Sequence, residues 1–134
     1  DVHMSRGLGD VYKRQGSESA KSMIKALKQN EDLALLIDQR DSSGLEIDFF
    51  GKKVLATDGF ANLAIKYKTM ICPVYSIRNQ NNKFQIIFEK PLRYEEYKNY
   101  DVKGLVEMIH KKYFEKWITH SPSQWLWVHK RWKL

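Results

Sequence analysis

The chain has 134 residues, of which 43% are hydrophobic, 13% aromatic and 29% charged. That balance excludes a disordered, fibrous or low-complexity chain, and a single cysteine excludes an internal disulfide framework. A net charge of +7 points to an anionic partner, whether nucleic acid, anionic lipid or an acidic protein, and charge alone does not choose among them.

Residues 1–15 show no helical or strand period, and the string from Gly9 to Gln15 resembles translated adapter sequence. They are set aside as a non-native leader, and the fold is read from residue 16 onward. From Ser17 to about Asn30, Ala20, Met23, Ile24 and Leu27 recur at i, i+3, i+4 and i+7, the stripe of an amphipathic helix, with Lys21, Lys25 and Lys28 off it. Leu33 to Ile37 is a continuous apolar run ending at Asp38-Gln39, as expected of a strand buried on both faces. Arg40 to Gly44 reads as a polar loop, and Ile47 to Gly51 as a short aromatic element. Thr57 is placed to cap a second helix with Phe60, Leu63, Ala64 and Tyr67 on one face.

Met70 to Arg78 reads as another buried strand, with Pro73 demanding an edge or a bulge and Cys72 as an inert buried thiol. Asn79 to Asn82 is a turn into Phe84-Gln85-Ile86-Ile87-Phe88, so the two strands form a hairpin that Pro91 ends. Asp101 to about Thr119 is a third helix, packing through Val102, Leu105, Val106, Ile109 and Tyr113. Ser121, Pro122 and Gln124 have the pattern of a capped helix start, and Trp125, Val128, His129 and Trp132 recur behind them at helical spacing. No run approaches the roughly 18–20 apolar residues that span a bilayer.

Leu35-Leu36-Ile37-Asp38-Gln39, Phe49-Phe50-Gly51, Thr57 with Ala61 and Ala64, Pro73, and the tail Ser121-Pro122-Ser123-Gln124-Trp125-Leu126-Trp127-Val128-His129-Lys130-Arg131-Trp132-Lys133 together resemble the lauroyl/myristoyl acyltransferases of lipid A biosynthesis. The tail is the most specific part, and the resemblance runs from about Ser17 to the end. It implies an α/β domain of glycerolipid acyltransferase type, with a mixed central sheet flanked by helices. Residues 16–134 would be its C-terminal part. It also implies transfer of a fatty-acyl group from acyl carrier protein to a lipid A precursor, at the cytoplasmic face of the bacterial inner membrane, with no cofactor and no metal.

Such an enzyme needs a base. A hydroxyl cannot attack a thioester as a free alkoxide near neutral pH, so a histidine oriented by a carboxylate removes the proton as attack occurs. The resemblance implies a His-x4-Asp/Glu motif upstream of Asp38. The only upstream histidine is His3, and the residue five positions on is Leu8. His110 and Glu115 have the spacing but lie far downstream, in a helix where a five-residue step turns them apart. No catalytic residue is therefore assigned, and the chain reads as an N-terminally truncated enzyme, inactive alone.

By the same resemblance Asp38 and Gln39 stand at the substrate pocket, Asp38 holding the acceptor sugar or an arginine of the catalytic shell. The alternative is that Asp38 merely caps the next turn. Phe50 and Gly51 either shape the pocket or are core and turn residues, and Arg78 faces a phosphate or is a loose surface arginine. Trp127, Lys130, Arg131 and Lys133 point outward to a membrane or the carrier protein, with Lys111, Lys112 and Lys116 extending the basic zone. A different class remains open: a basic Trp/Lys-rich module that binds nucleic acid or anionic membrane without catalysis. The helical rather than strand-like spacing of the aromatics argues against nucleic acid.

Overall fold

The computed structural model describes residues 17–127, 131 and 132. The chain divides into two compact units, one ending at Leu36 and the other beginning at Ile37. Residues 1–16, with the leader and His3, lie outside the described residues, as do Val128, His129, Lys130 and Lys133.

The first unit contains helix α1, Ser17–Lys28. Met23, Ile24 and Leu27 are half-buried and Lys21, Lys25 and Lys28 exposed, as the spacing requires. Asn30 ends the helix in the left-handed region, with φ of 57°. There the Glu31 N–H donates to the Ala26 carbonyl at 2.9 Å, and the Asn30 N–H to Leu27 at 3.1 Å. The run Leu33–Ile37 forms no strand, and its residues alternate between half-buried and exposed. An apolar run becomes an inner strand only between two neighbours, and both sheets among the described residues are two-stranded.

The second unit is built on two antiparallel hairpins. Strand β1, Arg40–Phe49, pairs with β2, Lys52–Ala56. The predicted loop at Arg40–Gly44 is the start of β1, where Arg40 and Leu45 both oppose Ala56 across a bulge. A Cβ on Gly44 would lie 2.1 Å from the Ala56 carbonyl oxygen, so glycine is what allows this close approach. Ile47 and Phe49 alternate inward with Val54 and Ala56, all fully buried.

Helix α2, Gly59–Tyr67, buries Phe60, Ala61 and Ala64. Its N-cap is Asp58 rather than Thr57. Strand β3, Val74–Arg78, pairs with β4, Phe84–Phe88. Pro73 lies one residue before β3, where its missing N–H costs no ladder bond. The buried nine-residue strand expected over Met70–Arg78 is thus a five-residue one, and Cys72 is exposed. A one-turn helix α3, Tyr94–Tyr97, follows, and the Tyr97 hydroxyl donates to the carbonyls of Thr69 and Ala64.

One long helical stretch then runs from Val102 to His120, as α4 (Val102–Ile109), a π-helical turn (His110–Phe114) and α5 (Glu115–His120). Asp101 caps it, accepting from the Gly104 N–H at 2.7 Å. Leu105, Val106 and Ile109 are buried, and α4 packs on β1 and α2.

The fold is therefore mixed α/β with small antiparallel sheets, and the described residues do not form one central sheet flanked by helices. Side chains stand in where further strands would pair. On the free edge of β1, the Asp48 N–H donates to Glu107 Oε1 at 3.3 Å and the Phe50 N–H to Glu115 Oε1 at 2.7 Å. On the edge of β3, the Gln124 amide takes both backbone groups of Arg78, accepting from N–H at 2.7 Å and donating to the carbonyl at 3.1 Å. Filled edges of this kind resist pairing with other chains.

Gln124 thereby departs from its expected place in a capping box. Ser121–Gln124 makes only a 3-10 turn, Pro122–Gln124, after which Trp125 is extended with ψ of 142°. The terminal helix predicted from the spacing does not form over the described part of the tail.

Candidate functional site

Two fully buried polar side chains meet behind the first hairpin. His110, at the start of the π-helical turn, has no exposed surface, and Arg131 is 1% exposed. His110 Nδ1 lies 2.8 Å from the Val106 carbonyl, which can only accept, so Nδ1 carries the proton. Nε2 is then an acceptor, and Arg131 Nη2 donates to it at 2.8 Å. Arg131 Nη1 donates to the carbonyls of Gln39 and, at 3.2 Å, Leu55. One guanidinium thus joins the head of β1, the body of β2, the long helix and the tail.

Burial pushes the His110 imidazole down to about 4, the neighbouring Arg131 charge adding in the same direction and the Val106 hydrogen bond opposing. Burial also lowers the Arg131 pKa, while the Asp38 carboxylate works the other way. Asp38 is half-buried and Gln39 exposed, Gln39 contributing its backbone carbonyl.

Aromatic rings close the other side. Phe49 stacks on Trp132 with centroids 5.6 Å apart and meets the His110 ring edge-on at 5.6 Å, and Arg131 sits over Phe49 at 5.7 Å. Trp132 stacks in turn on Trp127 at 6.0 Å and donates its indole N–H to the Phe49 carbonyl at 3.3 Å. Trp127 is the exposed end of this ladder.

Phe50 and Gly51 form the two-residue turn between β1 and β2, with φ of 51° and 71°. Two positive φ values are what a type I′ turn requires, and glycine meets the demand where phenylalanine strains against it. An aromatic residue held in the left-handed region costs on the order of 1–3 kcal/mol and persists because the Glu115 carboxylate and the Phe49 ring, 4.9 Å away, hold it. Phe50→Asn is expected to raise stability by about 1 kcal/mol, read as a higher urea midpoint at an unchanged slope. An unchanged or lower midpoint would show that the ring contact outweighs the strain.

Arg131, expected to face outward, instead turns both terminal nitrogens inward, where two backbone carbonyls and an imidazole need donors, while its Nε is buried without a hydrogen bond. Arg78 is not brought to this cluster. It is exposed at the end of β3, its guanidinium 5.0 Å over the Phe84 ring. His110 and Glu115 are not a catalytic pair, although the segment between them is π-helical rather than α-helical. Both imidazole nitrogens are engaged elsewhere, and Glu115 holds the Phe50 N–H. His110 was findable in the sequence: it lies four residues after Val106 on the packing stripe. The π-helical turn has no comparable signal.

Two shallow grooves, of about 480 and 800 Å³, lie along the long helix, one lined by Tyr100, Glu107 and Lys111, the other by Tyr75, Lys116 and Trp117. Neither is lined by Asp38, Gln39, Phe50, Gly51 or Arg78. Among the described residues, no group of three or more His, Cys, Asp or Glu side chains is placed to hold a metal ion, and no helix is long and apolar enough to cross a membrane.

Residues 6–134 match the family model described as bacterial lipid A biosynthesis acyltransferase, a match that begins inside the segment set aside as a leader. The chain belongs to that family. No curated protein matches it.

Proposed function

We propose that this chain is the C-terminal part of an enzyme that transfers a fatty-acyl group from acyl carrier protein to a hydroxyl of a lipid A precursor at the cytoplasmic face of the inner membrane. The observation that carries the reading is the family match over residues 6–134. The acceptor oxygen attacks the thioester carbonyl, its proton leaves to a base, and the carrier's thiol departs.

Asp38 and Gln39 stand beside the Arg131 lock, where the acceptor sugar is held, and Phe50 and Gly51 form the strained tip over which the lipid passes. Arg78 takes a phosphate apart from that cluster. Exposed Trp127 meets the membrane or the carrier protein, together with Lys130 and Lys133 of the tail.

The base is not assigned to this chain. His110 is committed to Val106 and Arg131, and among the described residues His120 makes no hydrogen bond or ion pair that would orient it. The purified 134-residue chain, given acyl carrier protein thioester and a lipid A precursor, is therefore expected to release thiol and form product at the background rate. A rate clearly above background would overturn the proposal that it is inactive alone.

A further inference from the structure

The second hairpin has one face that nothing among the described residues covers. Phe84, Ile86 and Phe88 point to the same side of β4 and are 66%, 64% and 70% exposed. Across the ladder Phe84 pairs with Arg78, Ile86 with Ser76 and Phe88 with Val74, which is itself 42% exposed. Soluble surfaces seldom carry three such side chains in a row, and a contiguous patch of this kind marks a contact.

Charge at its rim selects the partner. Arg78 lies on the face, exposed Lys90 follows two residues after Phe88, and exposed Lys83 stands in the turn just before β4. The nearest acid, Glu89, lies just past the strand and is engaged elsewhere, accepting from the Trp117 indole at 2.9 Å and pairing with Lys116 at 3.2 Å. Apolar and aromatic side chains ringed by cations, with the one nearby carboxylate withdrawn, complement an anionic lipid surface.

We infer that the β3–β4 hairpin lies flat on an anionic bilayer, with Phe84, Ile86 and Phe88 in the acyl-headgroup boundary and Arg78, Lys83 and Lys90 among the phosphates. The inference rests on the reading that the chain works on lipid, but vesicle binding and acyl transfer are separate measurements and either can fail alone. It moves the principal membrane contact from the tail to the second hairpin.

The sole cysteine, Cys72, is exposed two residues before Val74 and accepts an environment-sensitive fluorophore. With vesicles of equal parts phosphatidylglycerol and phosphatidylethanolamine, the labelled chain is expected to shift to the blue and to be quenched by lipids spin-labelled near the headgroup. Ile86→Ser with Phe88→Ser should lower the partition coefficient by about tenfold or more. Lys83→Glu with Lys90→Glu should lose about tenfold or more on these vesicles and change little on phosphatidylcholine. Circular dichroism of each variant, with the wild-type quenching as an independent reading, separates binding from misfolding. Wild-type label that stays in water, or face variants that partition within about twofold of wild type, would overturn the inference. So would a wild-type dimer in the absence of vesicles that dissociates on Ile86→Ser with Phe88→Ser, because the face would then belong to a second copy.

Discussion

Replacing Arg131 by alanine is expected to lower stability by about 3–5 kcal/mol, measured as the free energy of urea unfolding at pH 7. The change strands the carbonyls of Gln39 and Leu55 and the Nε2 of His110, and it empties the space under Phe49. A buried acceptor left without a donor, as His110 Nε2 would be, costs about 1–3 kcal/mol, the half-buried Leu55 carbonyl adds less, and the cavity adds to that. Arg131→Lys should recover less than half of the loss, because one ammonium cannot reach acceptors that the guanidinium fork serves from two nitrogens. A loss below about 1 kcal/mol for the alanine variant would mean that the tail is not held by this residue.

The second large effect is on pH. The His110 pKa is about 4 in the fold against an ordinary value of 6.5, so between those values the unfolded chain binds a proton that the folded chain refuses. Stability contributed by neutral His110 is fully present above pH 6.5 and falls as the pH drops toward 4. The slope is about 1.4 kcal/mol per unit and the total about 3 kcal/mol. His110→Gln should abolish most of this slope while lowering stability at pH 7. If the variant and the parent share one pH profile between 7 and 5, His110 is not buried in the neutral form.

These effects converge on the tail, the part of the chain whose sequence pattern misled most. Trp125, Val128, His129 and Trp132 have helical spacing, and Ser121-Pro122-x-Gln124 looks like a helix start. Local pattern was overridden by two tertiary claims: the Gln124 amide completes the edge of β3, and Trp132 is drawn flat against Phe49. Neither partner is adjacent in sequence, so no window of the tail reveals them. The same holds for Arg131, which reads as one cation among several until the carbonyls around it are located.

Elements set by local chemistry were legible. Helix α1 and the stretch from Asp101 to His120 show their stripes, and the Asn79–Asn82 turn joins the two strands it was expected to join. Apolar runs were harder. Leu33–Ile37 and Met70–Arg78 both suggest strands buried on two faces, yet the first forms no strand and the second is a short hairpin strand with an exposed face. Hydrophobicity records that a segment is made to be covered, not what covers it. Of the candidate site residues, Gln39 gives its carbonyl to Arg131 and Phe50 and Gly51 form the β1–β2 turn, whereas Arg78 sits apart on the second hairpin.

A single buried guanidinium, donating to a neutral imidazole and to the carbonyls of Gln39 and Leu55, ties the tail to the first hairpin and the long helix. Nitrogen-detected NMR of the histidine side chains, with His110 assigned by its loss in His110→Gln, tests this most directly. The account predicts an imidazole protonated on Nδ1 alone, bare at Nε2, with no titration from pH 8 down to 5. A His110 signal that titrates near the ordinary 6.5 would contradict it.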